Sequence, residues 1–137
     1  MKEILFKAKH ITIDKWYEGY YVKIERLHYI AVTDEGFENG YRLVEINPET
    51  LCQYTGLTDK NGKKIWENDV VRKTDTNPLG WGRVRTCTVS FDKLGYWLLT
   101  TEYGDGYWLG EFESEQLEVI GNIFDNPELL EGGATNE

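Results

Sequence analysis

The fold of this 137-residue chain is decided by one stretch, Leu51-Cys-Gln-Tyr-Thr-Gly-Leu-Thr-Asp-Lys-Asn-Gly-Lys-Lys-Ile-Trp-Glu-Asn-Asp-Val-Val71. Its two ends are rich in apolar and β-branched residues and predict strands over residues 51–54 and 65–73. The polar segment between them contains Asn61-Gly62, the strongest short-range signal for a β-hairpin. The stretch therefore predicts two strands joined by a turn.

The same kind of pattern continues on both sides of this stretch. Apolar and polar residues alternate with a period of two, and glycines or Asn-Gly pairs interrupt them, as is typical of strands and turns. Gly19 lies inside one such segment, where a glycine indicates a bulge or the close approach of another backbone. Pro127 suits the first position of a single helical turn over residues 127–130. Further strands are predicted over residues 4–10, 16–24, 29–33, 42–46, 83–91, 96–101 and 117–124.

A division of the chain is predicted at Asn47-Pro48, because proline cannot donate a ladder hydrogen bond and disfavours helix at the residue before it. We expect a mainly β protein, with an antiparallel N-terminal meander over residues 1–47 and a small SH3-like β-barrel over residues 48–131. A short C-terminal helical turn ends the barrel, and residues 132–137 are expected to be a disordered tail. Residues 103–110 are too glycine-rich for a regular strand and predict a mobile loop.

The charge is distributed unevenly along the chain. Residues 1–93 contain 15 Lys and Arg against 14 Asp and Glu, a balance of +1, whereas residues 94–137 contain no Lys or Arg and 10 acids, which gives the total of −9. An acidic region repels phosphates and attracts basic partners. The alternative is that these acids only keep the protein in solution.

Location and redox state follow from what the sequence lacks. It has no run of about 18 apolar residues to cross a bilayer, and its start lacks the apolar block of a signal peptide. We therefore expect no membrane association and a cytoplasmic protein. In that reducing compartment Cys52 and Cys87 are expected as free, buried thiols. His10 and His28 do not have metal-ligand spacing, so neither a metal nor a cofactor is expected.

The central stretch, together with Leu117-Glu-Val-Ile-Gly-Asn-Ile-Phe-Asp-Asn-Pro-Glu-Leu-Leu130, resembles the YopX-like family of bacteriophages and prophages. The resemblance extends over nearly the whole chain. It implies a bacterial host, and a biochemical role that is unassigned. Where the family usually has Glu-Gly-Asp, this chain has Glu67-Asn68-Asp69. Asn is the non-glycine residue that best tolerates left-handed backbone geometry, so we expect the turn to be kept.

Enzymatic signatures are missing from the sequence, so we expect a protein that is not an enzyme. Neither Ser90 nor Ser114 lies in a Gly-x-Ser-x-Gly elbow, and the lysines near residue 60 lack the spacing of a phosphate-binding loop. A hydrolase remains an alternative only if the fold brings two carboxylates within about 5–10 Å of each other. The candidate carboxylates are Glu67, Asp69, Asp92, Glu102 and Asp105.

Aromatic residues are frequent, with 5 Trp and 9 Tyr, and several are concentrated between residues 81 and 108. Aromatic side chains in β proteins fill cores, which is one interpretation. The other is a contact surface, because Tyr and Trp are enriched where proteins meet. The predicted interaction surface consists of Trp81, Trp97, Tyr103, Tyr107 and Trp108.

The functional hypothesis is a non-enzymatic phage accessory protein that binds another protein or assembles with itself into a homo-oligomer. The alternative is a role linked to nucleic acids. In its direct form basic residues bind DNA, although the acidic end argues against phosphate binding. In its indirect form the protein is an acidic decoy for a DNA-binding protein. The basic residues concerned are Lys60, Lys63, Lys64, Arg72, Lys73, Arg83 and Arg85.

Overall fold

The computed structural model describes residues 4–32, 40–75 and 82–130. The chain forms two compact units, Met1–Gly56 and Leu57–Glu137. Each unit contains antiparallel β-sheet, so the expectation of a mainly β protein is confirmed. The subdomain boundary predicted at residues 47 and 48 stays a prediction. The predicted tail lies outside the described residues.

The first unit is an antiparallel sheet whose first four strands pair in sequence order, as in a meander. They are β1 (Phe6–Lys9), β2 (Trp16–Ile24), β3 (Leu27–Val32) and β4 (Arg42–Glu45), and β5 (Cys52–Thr58) returns to pair with β1. This return follows a short 3-10 turn, Pro48–Thr50, in which the Asn47 side chain accepts a hydrogen bond from the backbone of Glu49. The core of the unit consists of Ala8, Ile30, Val32, Val44 and Ile46.

Gly19 is required by a close approach between β2 and β3. A Cβ atom at this position would overlap the carbonyl oxygen of Ala31, so no other residue fits without movement of the backbone. The close approach indicated by the sequence is therefore confirmed.

The second unit contains β6 (Lys64–Trp66), β7 (Asp69–Thr74), β8 (Val84–Phe91), β9 (Trp97–Thr101), β10 (Gly106–Trp108) and β11 (Leu117–Asn122). Its five-stranded sheet has the order β10-β9-β8-β7-β11. In the part of the chain that the structure describes, the two edge strands do not pair with each other. The sheet is open there, and the predicted SH3-like barrel is not confirmed.

Two sequence expectations about these strands were wrong. Residues 65–73 are not one strand, because Asn68 adopts a left-handed conformation with φ of 71° and separates β6 from β7. The expected loop contains β10, which pairs with β9 from Gly106 opposite Thr100 to Trp108 opposite Leu98. The turn between β9 and β10 fixes this pairing, so the glycine content of the segment did not prevent a strand.

The core of the second unit lies on one face of its sheet. Val71 is paired with Cys87, and Val89 with Leu99, so these side chains share a face. We call this the core face and the opposite one the outer face. The core is completed by residues from outside the sheet's central strands, and it consists of Ile65, Val71, Cys87, Val89, Leu99, Leu109 and Leu117.

Three hairpin turns in this unit have the same construction. In each, a side-chain oxygen accepts backbone N–H groups two and four residues ahead, and a glycine three residues ahead has a positive φ of 79°, 93° or 89°. Side chains of this kind replace part of the backbone bonding that a turn needs, and glycine adopts positive φ without strain. The three turns begin at Asp59, Asp92 and Thr101.

Asp59 differs from the other two residues because it also holds a distant strand. Its Oδ1 accepts the N–H groups of Asn61 and Lys63 at 2.9 Å each, while its Oδ2 accepts the N–H of Val119 in β11 at 2.8 Å. Next to it, the Lys60 N–H donates to the Leu117 carbonyl at 2.9 Å. Burial alone would raise the pKa of Asp59, but these donors outweigh burial and lower the pKa below its ordinary value.

The chain leaves β11 through a second bonded segment. The Asn122 side chain accepts the N–H groups of Phe124 and Asp125, and the Asn126 side chain accepts the N–H of Asn122 at 3.2 Å. Gly121 permits this, since a Cβ there would overlap the Asn126 side chain and lie 2.9 Å from Leu129. Residues 128–130 are helical, which confirms the predicted C-terminal turn.

We predict that Asp59→Asn destabilises the protein by about 1–3 kcal/mol. One of the two accepting oxygens becomes an N–H₂ group, which donates and cannot accept, so at least one backbone N–H loses its acceptor. Asp92→Asn is the matched control, since it disturbs a turn of the same construction without the bond to β11, and its cost should be smaller. Urea unfolding at pH 7 measures both.

The contribution of Asp59 should also depend on pH. Its pKa is lower in the folded than in the unfolded protein, so the stabilisation is fully present above the unfolded value of about 3.9 and is lost as pH falls through the folded pKa. The difference between wild type and Asp59→Asn should therefore shrink in acid. Equal costs for the two variants at pH 7 would contradict the special role of Asp59.

Candidate interaction surface

The outer face of the second sheet is polar in its middle. Thr88 of β8 is directly opposite Thr100 of β9, and Thr86, two residues before Thr88 in β8, lies on the same face. Towards the β8–β9 turn, Ser90 is opposite Leu98, which in turn is opposite Trp108 of β10. Side chains on one face of an antiparallel sheet are neighbours, so these residues form a continuous surface.

An exposed aromatic pair marks one end of this surface. The rings of Tyr96 and Trp108 are stacked, with centroids 5.4 Å apart and planes 23° from parallel. They are 51% and 53% exposed, and Leu94 in the adjacent turn is 76% exposed. We call Tyr96, Trp108 and Leu94 the aromatic end. Burying such side chains is favourable, so this cluster is suited to contact another molecule.

The core side of the same hairpin carries a second aromatic pair. Phe91 and Trp97 are opposite each other in β8 and β9, and their rings meet edge to face with centroids 4.6 Å apart. Trp97 also packs against the hydrophobic core. The hairpin therefore presents aromatic rings on both of its faces, but only Tyr96 and Trp108 belong to the outer face.

The structure separates the predicted surface residues. Tyr103 lies in the turn at the other end of β9, where the Arg85 guanidinium is 5.2 Å from its ring. Tyr107 is opposite Leu99 and therefore lies on the core face. Trp97 and Trp108 are near the same end of the sheet but on different faces, and Trp81 lies outside the described residues.

Sequence reasoning missed Leu94 and Tyr96 as members of a site, and it missed the threonines. The Asp92 turn was the available signal, because it fixes which residues of the two strands are opposite each other. Period-two alternation would then have placed Tyr96 and Trp108 on one face and Tyr107 on the other.

Lys73 explains the position of Tyr107. The Lys73 side chain is buried on the core face, with its ammonium nitrogen 4.8 Å from the centre of the Tyr107 ring and 5.0 Å from that of Phe112. The two rings meet edge to face at 6.0 Å. A cation over aromatic faces is stabilised by the ring quadrupoles. Tyr107 therefore has a structural partner inside the unit.

A cavity of about 200 Å³ lies on the outer face beside the C-terminal turn. Glu102 lines it, and its carboxylate oxygens accept the Thr86 N–H at 3.2 and 3.4 Å. The other described lining residues carry hydroxyl groups or aliphatic side chains, and they are Thr86, Thr88, Thr100, Thr101, Leu129 and Leu130.

The candidate carboxylates and cysteines have structural surroundings. Asp69 is buried and accepts the Trp66 N–H at 2.8 Å, as expected of a turn residue, and Asp92 caps its own turn. Burial raises the pKa of the Cys87 thiol to about 11, which disfavours a thiolate nucleophile. Both cysteines are buried.

In residues 4–32, 40–75 and 82–130, no cluster of three or more His, Cys, Asp or Glu side chains could hold a metal ion, and no helix is long and apolar enough to span a bilayer.

Comparison with known proteins gives the family. Residues 3–131 match the model of the YopX protein family. The chain belongs to the YopX family. This confirms the resemblance seen in the central and C-terminal stretches.

This YopX-family chain is similar to a solved structure, the crystal structure of protein EF1440 from Enterococcus faecalis. The two share 19% sequence identity with a TM-score of 0.50, over 95% of this chain and 99% of that one. At this identity the likeness shows a shared fold and nothing about activity. No curated protein matches the chain in sequence.

We predict that Tyr107→Ala and Trp108→Ala have unequal effects on stability, although the residues are adjacent and both aromatic. Tyr107→Ala uncovers a buried cation and should cost about 2–3 kcal/mol, whereas Trp108→Ala removes an exposed stack worth about 0.5–1.5 kcal/mol. Urea unfolding of the two variants tests this, and a larger loss for Trp108→Ala would contradict the assignment of faces.

Proposed function

We propose that this YopX-family protein is a non-enzymatic, phage-associated binding module whose aromatic end contacts a protein partner. The observation that supports this most directly is the Tyr96–Trp108 stack, in which two large rings are held in place yet remain half exposed. Tyr and Trp of this kind dominate the binding energy of many interfaces. Because the rings already lie against each other, little rotamer freedom is lost on binding.

The charge of the chain suggests what kind of partner fits. The ten acids of residues 94–137 include Glu102 beside the outer face and Glu111 just after β10. An acidic surface accelerates the approach of basic proteins, and the effect weakens as salt rises. We propose a basic protein of the bacterial cytoplasm as the partner, and a second copy of the chain as the alternative.

The direct nucleic-acid role has less support from the positions of the basic residues. Lys73 is buried, and Arg85 lies against Tyr103. Glu118 lies within 4 Å of the charged groups of both Lys60 and Arg72, at 3.7 and 3.5 Å. Phosphate binding needs several cations that can approach one backbone together. A hydrolase stays an untested alternative. Among its candidate carboxylates, Asp69, Asp92 and Glu102 accept backbone N–H groups and so have structural roles.

The test is affinity capture from a phage-infected host together with light scattering of the purified protein. The variant is Tyr96→Ser/Trp108→Ser, and the matched control is Tyr20→Ser/Tyr41→Ser, because Tyr20 and Tyr41 are similarly exposed at 60% and 63% and lie in the first unit. We expect the variant alone to lose the captured protein, or the oligomer, by at least tenfold.

Two results would overturn the proposal. One is a wild-type protein that is a monomer and captures nothing. The other is equal binding by the variant and the control, which would move the contact away from the aromatic end. Salt-sensitive retention of DNA by the purified protein would favour the nucleic-acid alternative instead.

A further inference from the structure

Among the described residues that line the outer-face cavity, Glu102 is the charged one, and it is an acid. Glu102 accepts the Thr86 N–H at 3.2 and 3.4 Å, and with the described residues this leaves acceptor capacity on its carboxylate for a ligand. In the described strands, the cation nearest to Thr86 on this face by register is Arg72, and its guanidinium lies 3.5 Å from the Glu118 carboxylate. The electrostatic preference of the cavity is therefore for a cation.

The uncharged lining divides into two parts. Thr86, Thr88 and Thr100 place their side chains on the outer face, and directly opposite residues such as Thr88 and Thr100 have Cβ atoms about 5 Å apart. Each hydroxyl can accept two hydrogen bonds. Leu129 and Leu130 supply aliphatic surface from the C-terminal turn. A matching ligand has several donors at one end and an aliphatic body.

We infer that this cavity binds a primary ammonium group on a short aliphatic chain, and that its ligand is a lysine side chain of the protein partner. An ammonium carries three donors and one positive charge, which the carboxylate and the threonine hydroxyls complement. The methylene groups would lie against the two leucines. At about 200 Å³ the cavity is smaller than the roughly 300–1,000 Å³ of sites for drug-sized ligands, as suits one side chain.

The assignment of lysine as the ligand rests on the proposed function, whereas ammonium binding does not. Thr88 and Thr100 lie on the same face as Trp108, two residues along β8 and β9 from the Ser90–Leu98 pair. A partner segment crossing the aromatic end could therefore place a side chain in the cavity. Such an arrangement would combine an apolar contact with a charge-specific one.

The experiment is a titration of the full chain with n-butylammonium, followed by two-dimensional NMR. We expect saturable shifts of the amides of Thr88, Thr100 and Glu102, and no such shifts with n-butanol or butyrate. Glu102→Gln keeps an acceptor for the Thr86 N–H but removes the charge, and should weaken binding at least fivefold. Glu111→Gln is the matched control, because it removes an exposed acid outside the lining and should bind as wild type does.

A second variant and a second ligand complete the test. Thr88→Val/Thr100→Val preserves shape without hydroxyls and should also weaken binding. Nα-acetyl-lysine methylamide should bind at least as tightly as n-butylammonium. If n-butylammonium binds and the lysine derivative does not, the ligand is a small free amine and the lysine assignment is wrong. Equal affinity of wild type and Glu102→Gln, or equal losses for Glu102→Gln and Glu111→Gln, would overturn ammonium binding at this cavity.

These outcomes are separate from those for the proposed function. If butylammonium binding depends on Glu102 but partner capture does not depend on Tyr96 and Trp108, the proposed aromatic contact is wrong and the proposed ammonium site stands. Loss of the partner on mutation of the aromatic end, with no ammonium binding, would do the reverse.

Discussion

The second unit depends on one buried carboxylate. Asp59 accepts three backbone N–H groups, two from its own turn and one from Val119, which is 60 residues further along the chain. A buried carboxylate without donors would carry a large desolvation cost, so the turn and β11 must both be in place for the site to be favourable. This requirement couples a local hairpin to the last strand of the sheet. The turn also satisfies backbone groups at the edge of β11, because the Leu117 carbonyl and the Val119 N–H bond to residues 60 and 59.

Much of this fold follows from local sequence rules. The strand over residues 16–24 and the Asn61-Gly62 turn depend on alternation and on glycine geometry, which a sequence displays directly. The pairing of β1 with β5 does not, because it joins segments more than forty residues apart. The left-handed turn expected at Asn68 is confirmed by its φ of 71°, but residues 65–73 were still predicted as one strand. The tolerance of Asn for this geometry does not by itself say whether a strand ends there or only bends.

In the candidate surface, composition predicts which residue types are present, whereas strand register determines which of them share a face. Composition indicates that aromatic residues are concentrated between residues 81 and 108, but it cannot say which of them share a face. One step along β10 separates Tyr107, which lies over the buried Lys73 ammonium, from Trp108, which stacks on Tyr96 in solvent. The cavity was harder to predict from the sequence, because its lining combines β8, β9 and the C-terminal turn. Only the folded chain brings Thr88 and Leu129 together.

The residues that make the family recognisable have structural roles in this fold. Asp59 and Gly62 form a turn, Asn68 and Asp69 shape the step into β7, and Gly121 admits the side chain of Asn126. Because each has a local physical reason, the motif identifies a fold without indicating a reaction. Residues free of such duties are better places to look for function. Tyr96, Trp108 and the outer-face threonines Thr86, Thr88 and Thr100 meet this condition, since no turn or core needs a stacked pair in solvent or a row of hydroxyls on one face. The argument for a binding surface therefore comes from side chains that the fold itself does not require.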